Sequence, residues 1–292
     1  MFDGHGGSKA SEYLQRHLHG ALKQALEKDG VAGGDSTLSL APALTETFEA
    51  FDERLIHYLL NDSSVPKEQR VAGSTATVAL VRHDRVVVAN CGDSRAVLCR
   101  GNGSTLDISR DHRPSRQTAA GPAESACRLV RLSWVSLWLL TDSLPSLLPS
   151  VARVIACGGW VSDGRVLGIL GVSRAFGGHE FKAGRDQLLA EGARLAYWKP
   201  EAVVGKKLTH PVVVATPDVS QVDLLPGDQF VLLATDGLWD CCTSAQASIF
   251  VRGELAKNGG DAQATADALV SHAVGRRKAK DNVAAIVVVL NG

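Results

Sequence analysis

The chain has 292 residues, of which 45% are hydrophobic, so it contains enough apolar material for a buried core and is not an intrinsically disordered chain. Its 31 Lys and Arg residues balance 31 Asp and Glu residues, so no global charge favours binding to nucleic acid or to an anionic membrane. Six cysteines without a CxxC pair indicate reduced thiols rather than a zinc site or a disulfide framework, and we expect a cytoplasmic or nuclear protein.

Two amphipathic helices are predicted in the N-terminal part of the chain. In residues 8–30, leucines recur at helical spacing, and a second helix is predicted from about Leu44 to Leu60, with its leucines and phenylalanines on one stripe. His17 and His19 lie in the first helix without an acidic or cysteine partner at ligand spacing. We therefore interpret both histidines as surface residues.

Short strands replace helices from Thr75 onwards. The segments TATVALV, VVVANC, RAVLCR and TLDI are separated by the turns RHDR, GDS and GNG, a pattern typical of a β-meander. Three more strands are predicted at 213–216, 230–235 and 283–290, with two helical segments between the last two. Because strands and helices come in separate blocks, we predict an α+β fold with helices packed on antiparallel sheets.

The segment 118–152 is rich in Leu, Ser and Trp and differs in composition from its surroundings. Arg131, Asp142, Pro145 and Pro149 interrupt it, so no apolar stretch reaches the roughly 18 residues that a membrane-spanning helix needs. We expect no membrane span here and interpret the segment as an atypical insertion looped out of a compact domain.

Carboxylates next to glycines or at the ends of strands are the recurring chemical feature. Asp3 lies in the opening MFDGHGG, Asp236 follows the strand FVLLAT, and Asp281 precedes VAAIVVVL. Taken singly, each is better explained as a turn or a solvated acid, and the opening segment as a frayed terminus. Brought together, three carboxylates would need a cation, and their hard oxygen atoms suit Mg²⁺ or Mn²⁺.

Several ordered motifs carry a family resemblance: DGHGG, GSTATVAL, NCGDSRAVLCRGNG, GRVLGILGVSRAFGGHEFK, FVLLATDGLWD and KDNVAAIVVVL. In this order they resemble the PP2C (PPM) family of metal-dependent protein serine/threonine phosphatases, over nearly the whole chain except 118–152 and about 183–210. The resemblance implies an α+β, PP2C-like β-sandwich of two antiparallel sheets flanked by helix pairs. It also implies a single domain over 1–292 that lacks the family's N-terminal strands.

The same resemblance implies an active site. Asp3 would bridge two Mg²⁺ or Mn²⁺ ions, the Gly4 carbonyl would complete one coordination shell, and Asp236 and Asp281 would hold the ions from other strands. His5 would be the general acid. Such an ion pair ionises a water molecule that attacks the phosphorus of phosphoserine or phosphothreonine in a protein substrate.

Two departures from the family leave another function open. The family's phosphate-gripping arginine lies in strands that precede DGHGG, and an aspartate usually stands where this chain has Gly178. The alternative is a catalytically weak or inactive PP2C-like domain that binds phosphoproteins or acts as a scaffold. The run GRRKAK is more typical of a solvated loop than of a nucleic-acid patch. We expect phosphorylated proteins as partners, no nucleic acid, no membrane, and a monomer.

Overall fold

The structure is a computed structural model that describes residues 1–28, 40–114, 150–195 and 197–290. The chain divides into two compact units. The first unit comprises Met1–Asp111, Ala175–Gly177 and Ala215–Gly292, and the second comprises His112–Arg174 and Gly178–Val214. Asp3, Asp236 and Asp281 belong to the first unit.

The described strands are short and all pair in antiparallel fashion. In chain order they are β1 (Gly4–His5), β2 (Gly73–Ser74), β3 (Ala76–Val81), β4 (Arg85–Cys91), β5 (Arg95–Cys99), β6 (Thr105–Asp107), β7 (Val161–Ser162), β8 (Arg165–Val166), β9 (Phe176–Gly177), β10 (Asp218–Asp223), β11 (Phe230–Ala234) and β12 (Ala285–Val289). The first unit contains three sheets, with the strand orders β1-β2-β9, β10-β4-β3 and β12-β11-β5-β6. Strands β7 and β8 form a hairpin in the second unit.

The described helices are, in chain order, α1 (Lys9–Lys28), α2 (Leu40–Asn61), α3 (Ser150–Ala156), α4 (Arg185–Arg194), α5 (Pro200–Val203), α6 (Asp236–Trp239), α7 (Ser244–Lys257) and α8 (Ala262–Gly275). Helix α7 begins with a capping box, in which the Thr243 hydroxyl accepts from the Gln246 main-chain N–H and the Gln246 side chain accepts from the Thr243 N–H. His17 and His19 are exposed on α1, as predicted.

The sheets β10-β4-β3 and β12-β11-β5-β6 pack face to face. Alternate side chains of a strand point to opposite sides, so each of these strands has one set of side chains between the two sheets. Val86 and Val88 of β4 pack in one buried cluster with Leu98 of β5 and with Val231 and Leu233 of β11. The alternate residues turn outwards to the helices. Those of β4 join the core formed with α1 and α2, and those of β5 and β11 join the core formed with α7 and α8. The predicted sandwich of two antiparallel sheets flanked by helix pairs is therefore confirmed.

The strand predicted at 213–216 is wrong. Val212 and Val213 are buried in the second unit, where Val214 forms only an isolated bridge to Arg174. The strand lies a few residues later, at β10, which pairs along its whole length with β4. Because β10 is an edge strand in which only Val219 and Val222 are apolar, the neighbouring apolar run gave the stronger signal.

The predicted insertion at 118–152 lies mostly outside the described residues, which resume at Ser150. Within the part of the chain that the structure describes, no helix is both long enough and apolar enough to cross a membrane.

A buried arginine organises the second unit. Arg153 on α3 has no exposed surface, and its guanidinium donates to the main-chain carbonyls of Pro211 (3.2 Å) and Ser173. The same unit contains an edge-to-face contact between Trp160 and Trp198, with ring centroids 5.3 Å apart. The arginine therefore joins three segments that are distant in sequence by satisfying carbonyls that have no strand partner.

The face of β11 that packs against α7 and α8 gives a direct test of how the sheet and the helices are layered. Leu232 is fully buried in the cluster shared with α7 and α8, and Leu232→Ala is expected to lower the free energy of unfolding by about 3 kcal/mol through lost burial and a residual cavity. Leu225, which is 58% exposed, is the matched control, and Leu225→Ala should change it by less than about 0.5 kcal/mol. Urea denaturation measures both, and equal effects would contradict this packing.

Candidate active site

The opening residues form a paired segment, so their interpretation as a frayed terminus is wrong. The Met1 amino group donates to the Thr77 carbonyl (2.9 Å), and the Thr77 N–H donates to the Met1 carbonyl (3.0 Å). The Thr75 N–H donates to the Asp3 carbonyl (2.8 Å), and β1 then continues the pairing with His5 opposite Gly73. This ladder holds Asp3 and His5 in position.

Thr75 links two parts of the site. Its hydroxyl accepts from the Asp3 N–H (3.2 Å) and shares a hydrogen bond with the Ser94 hydroxyl (2.9 Å). Ser94 follows the buried Asp93 in the turn between β4 and β5. In that turn Gly92 has a φ of +116°, and a Cβ there would lie 2.5 Å from the Thr75 side chain. A glycine is therefore needed for the turn to close over Thr75.

The ends of β11 and β12 bring two more acids together. Asp236 follows β11 as the first residue of α6. Thr235 fastens the segment before β12 to this point, because its N–H donates to the Ala284 carbonyl (3.1 Å) and its hydroxyl accepts from the Ala284 N–H (3.0 Å). Gly237 lies so close to the Asn282 carbonyl that a side chain has no space. Asp281 is thereby held near Asp236.

The four carboxylates interact. The pKa of Asp3 is raised from its ordinary 3.8 to about 7, first by burial and then by the negative charges of Asp236, Asp93 and Asp281. A hydrogen bond between the Asp3 and Asp236 side chains contributes to the same shift. Since two carboxylates can share such a bond only through a proton, the cluster lacks positive charge near neutral pH.

The donor atoms at this place fit a hard divalent cation. They are carboxylate oxygens, which Mg²⁺ and Mn²⁺ prefer over nitrogen or sulfur ligands. Among the described residues, no three His, Cys, Asp or Glu side chains converge closely enough to hold an ion by themselves. That spacing agrees with the habit of Mg²⁺, which keeps several waters and takes one or two carboxylates from the protein.

His5 lies on the same ladder, two residues beyond Asp3. Residues two apart in an extended segment point to the same side, so the imidazole and the Asp3 carboxylate share one face of the ladder. The His5 ring packs directly on Gly73, where a methyl group would overlap the imidazole and approach the Phe176 carbonyl. Gly73 thus provides the space that the His5 ring occupies.

Sequence reasoning found three of the four interacting acids. The structure brings Asp3, Asp236 and Asp281 together and places the Gly4 carbonyl next to Asp3 in the chain. Asp93 was missed, although it follows the apolar strand VVVANC next to a glycine, which is the same signal that identified Asp236. Gly178 belongs to the second unit, where it adopts a left-handed conformation with a φ of +57°.

The layers and the acidic cluster define a class of protein, an α+β sandwich with carboxylates gathered at strand ends. The family model for protein phosphatase 2C matches residues 1–118 and 139–283. The chain is 32% identical over 287 residues to protein phosphatase 2C 57 of Arabidopsis thaliana, covering 98% of this chain and 66% of that protein. It is 34% identical over 209 residues to protein phosphatase ppm-1.G of Caenorhabditis elegans, covering 72% of this chain and 32% of that protein.

A solved structure shares the fold. Serine-threonine phosphatase 2C from Toxoplasma gondii matches with a TM-score of 0.63 at 22% identity, covering 99% of this chain and 83% of that one. The chain belongs to the protein phosphatase 2C family, as the resemblance in its motifs indicated. The matched region covers 66% of the length of protein phosphatase 2C 57 and 47% and 60% of the lengths of two further Arabidopsis relatives.

Proposed function

We propose that this chain hydrolyses phosphoserine and phosphothreonine in proteins with the help of two Mg²⁺ or Mn²⁺ ions. The observation that carries the proposal is that burial, together with the negative charges of Asp236, Asp93 and Asp281, raises the pKa of Asp3 to about 7. Such an arrangement is unfavourable unless cations offset the charge. Family membership and the names of the relatives support a protein phosphatase.

The roles of the residues follow from their positions. Asp3 and Asp236, which already share a hydrogen bond, would hold the ions jointly, with Asp281 and the Gly4 carbonyl as further oxygen donors. Bound divalent cations supply the Lewis acidity that activates water for in-line attack on phosphorus. His5, fixed by the β1 ladder, donates a proton to the departing seryl or threonyl oxygen. Asp93 adds negative charge that strengthens cation binding.

The proposal has a direct test. The purified chain should release phosphate from a phosphothreonyl peptide in the presence of Mn²⁺, and excess EDTA should abolish the release. Isothermal titration should detect Mn²⁺ binding independently of turnover. If the chain binds the phosphopeptide without hydrolysing it under any of these conditions, the alternative of a binding or scaffold module holds instead.

We also propose that the substrates are phosphorylated proteins and that the chain functions in a reducing compartment. Protein substrates are supported by the relatives, which are named as protein phosphatases. A reducing, cytoplasmic or nuclear compartment is supported by the five described cysteines, none of which forms a disulfide within the described residues.

Gly237 tests how the acids are brought together. Gly237→Ala should weaken Mn²⁺ binding about 10–100-fold, because its methyl group displaces the Asn282 carbonyl and moves Asp281. Gly253→Ala on α7 is the matched control, since a Cβ there meets no atom within 4 Å. The control should leave Mn²⁺ affinity unchanged and stabilise the helix by roughly 0.5–1 kcal/mol. Calorimetric titration decides, and an unchanged affinity for Gly237→Ala would contradict the proposed site.

A further inference from the structure

A cavity of about 530 Å³ opens beside the candidate active site within the first unit. Its walls are formed by Gly237, Asp240 and Cys241 and by the residues from Arg276 to Asp281. One carboxylate of the acidic cluster, Asp281, therefore shares a cavity with four cationic side chains. We refer to residues 276–280 as the basic loop.

The basic loop has a defined conformation at the end of α8. The main-chain N–H groups of Arg276 and Arg277 both donate to the His272 carbonyl, at 2.9 and 3.0 Å, and the Ala279 N–H donates to the Ala273 carbonyl. Lys278 adopts a φ of +54°, which is unfavourable for a residue with a side chain and persists where surrounding bonds impose it. The loop is therefore folded back against its own helix.

One cation of the loop has a structural role. The Arg277 guanidinium donates to Gln246 Oε1 (2.5 Å) and to Cys242 Sγ (3.4 Å), which anchors the loop to α7. Half-buried arginines elsewhere form ion pairs, for example Arg95 with Asp111 and Arg100 with Asp228. Arg277 therefore fixes the position of the loop through these hydrogen bonds.

The other three cations differ from these paired arginines. Arg276, Lys278 and Lys280 are exposed, and none of them forms an ion pair with any residue in the described ranges. The cavity wall contains only two carboxylates, Asp240 and Asp281, against four cations. The wall is thus positively charged where it adjoins a site built to take a phosphate.

We propose that Arg276, Lys278 and Lys280 bind a second oxyanion, a carboxylate or a phosphate, on the same peptide as the phosphoresidue that is hydrolysed. This inference rests on the proposed phosphatase function and names its substrate class. A guanidinium binds such oxyanions with paired hydrogen bonds, while ammonium groups act as point charges.

Asp281 belongs both to the acidic cluster and to the cavity wall, so the two anions would bind close together. An extended peptide spans about 3.3–3.6 Å per residue. We therefore place the second oxyanion two or three residues from the phosphoresidue. A nucleic acid fits less well, because its affinity depends on many phosphate contacts along a stripe, and here three exposed cations share one cavity with carboxylates.

The experiment compares four phosphothreonyl peptides under Mn²⁺. In two of them, a pair of glutamates occupies the second and third positions either before or after the phosphoresidue. The third peptide carries a phosphoserine in place of the favoured glutamate pair, and the fourth carries glutamines at the same positions. The protein variants are the triple change Arg276→Gln, Lys278→Gln, Lys280→Gln and the matched triple change Arg16→Gln, Lys23→Gln, Lys257→Gln, which removes the same charge from α1 and α7.

We expect one glutamate peptide to exceed the glutamine peptide about tenfold in kcat/KM for the unaltered chain, mainly through KM. The loop triple variant should reduce that ratio to near one, and the control triple variant should keep it. The phosphoserine peptide shows whether a phosphate is preferred over carboxylates. Raising the salt concentration should also reduce the ratio, because exposed charges are screened.

Three results would overturn the inference while leaving the phosphatase intact. The first is an equal loss on all peptides in the loop variant, which would mean that the cations only offset the acidic cluster. The second is a ratio of one in the unaltered chain. The third is a single-stranded oligonucleotide binding at least tenfold more tightly than the glutamate peptides. If no peptide is hydrolysed, the phosphatase proposal fails, and fluorescence anisotropy of the labelled peptides still decides whether the loop selects the anionic ones.

Discussion

Asp236→Asn is expected to lower kcat for a phosphothreonyl peptide by about 10²–10³-fold or more, because it removes a carboxylate that would hold the cations, and these would stabilise the negative charge of the transition state. Mn²⁺ affinity measured by calorimetry should fall in parallel. Asp107→Asn, which changes an exposed acid on β6, should leave both quantities unchanged. Full activity of Asp236→Asn would eliminate the proposed metal-assisted mechanism.

The same substitution should stabilise the metal-free protein. Asp236 is the largest source of charge repulsion on the half-buried Asp3, and a neutral asparagine removes it while still offering a hydrogen bond. The free energy of unfolding should rise by about 1 kcal/mol, which for a chain of this length is a shift of about 2 °C in Tm. Loss of activity together with a gain in stability distinguishes this site from an ordinary structural contact.

The pH dependence of stability follows from the sign of the Asp3 shift. Its pKa in the folded, metal-free protein is raised to about 7 from 3.8, so the folded state holds a proton that the unfolded state has released. The stability of the metal-free protein should therefore fall as pH rises from about 4 to about 7 and stay level above that, as far as Asp3 is concerned. Asp236→Asn should flatten this profile in thermal denaturation, and an identical slope in both proteins would contradict the interaction.

His5→Gln should slow hydrolysis of a phosphoseryl peptide by about 10²–10⁴-fold and should slow hydrolysis of p-nitrophenyl phosphate far less. The reason lies in the leaving group. A seryl oxygen needs a proton as it departs, whereas nitrophenolate leaves without one. Steady-state kinetics on the two substrates, with Mn²⁺ affinity measured alongside, separates proton donation from a loss of metal binding.

His19→Gln is the matched control for this test, because His19 is an exposed histidine on α1 and lies outside the candidate site. It should leave both rates unchanged. If His5→Gln slows the two substrates equally, His5 supports the site in some other way, and the proposed role as general acid is wrong.

The acidic cluster shows how function opposes stability in this chain. Burial and three neighbouring carboxylates make ionised Asp3 unfavourable, and the paired ladder from Met1 to Thr77 holds it in place nevertheless. Sites that break a local rule of packing or charge are typically the functional ones. The cluster is thus informative because it is unfavourable as a purely structural arrangement.

The sequence by itself determined the layers of the fold. Short apolar runs in β4, β5 and β11 predicted strands, and the leucine stripes of α1 and α2 predicted amphipathic helices that pack on the sheets, because such patterns are local properties of the sequence. It also identified Asp3, Asp236 and Asp281, since each stands beside a glycine or at the end of an apolar strand. The mostly polar edge strand β10 was misplaced, because its pattern is weak without its partner β4.

Only the tertiary structure decided which of these residues meet. Thr75 joins Asp3 to the turn that carries Asp93, and Thr235 joins the start of β12 to the end of β11, through hydrogen bonds between residues 19 to 72 positions apart. Such contacts depend on strand register and on close backbone approaches such as that at Gly237, and local residue patterns do not encode either. The same folding placed the basic loop in one cavity with Asp281, and so turned a run of charges into a candidate specificity site.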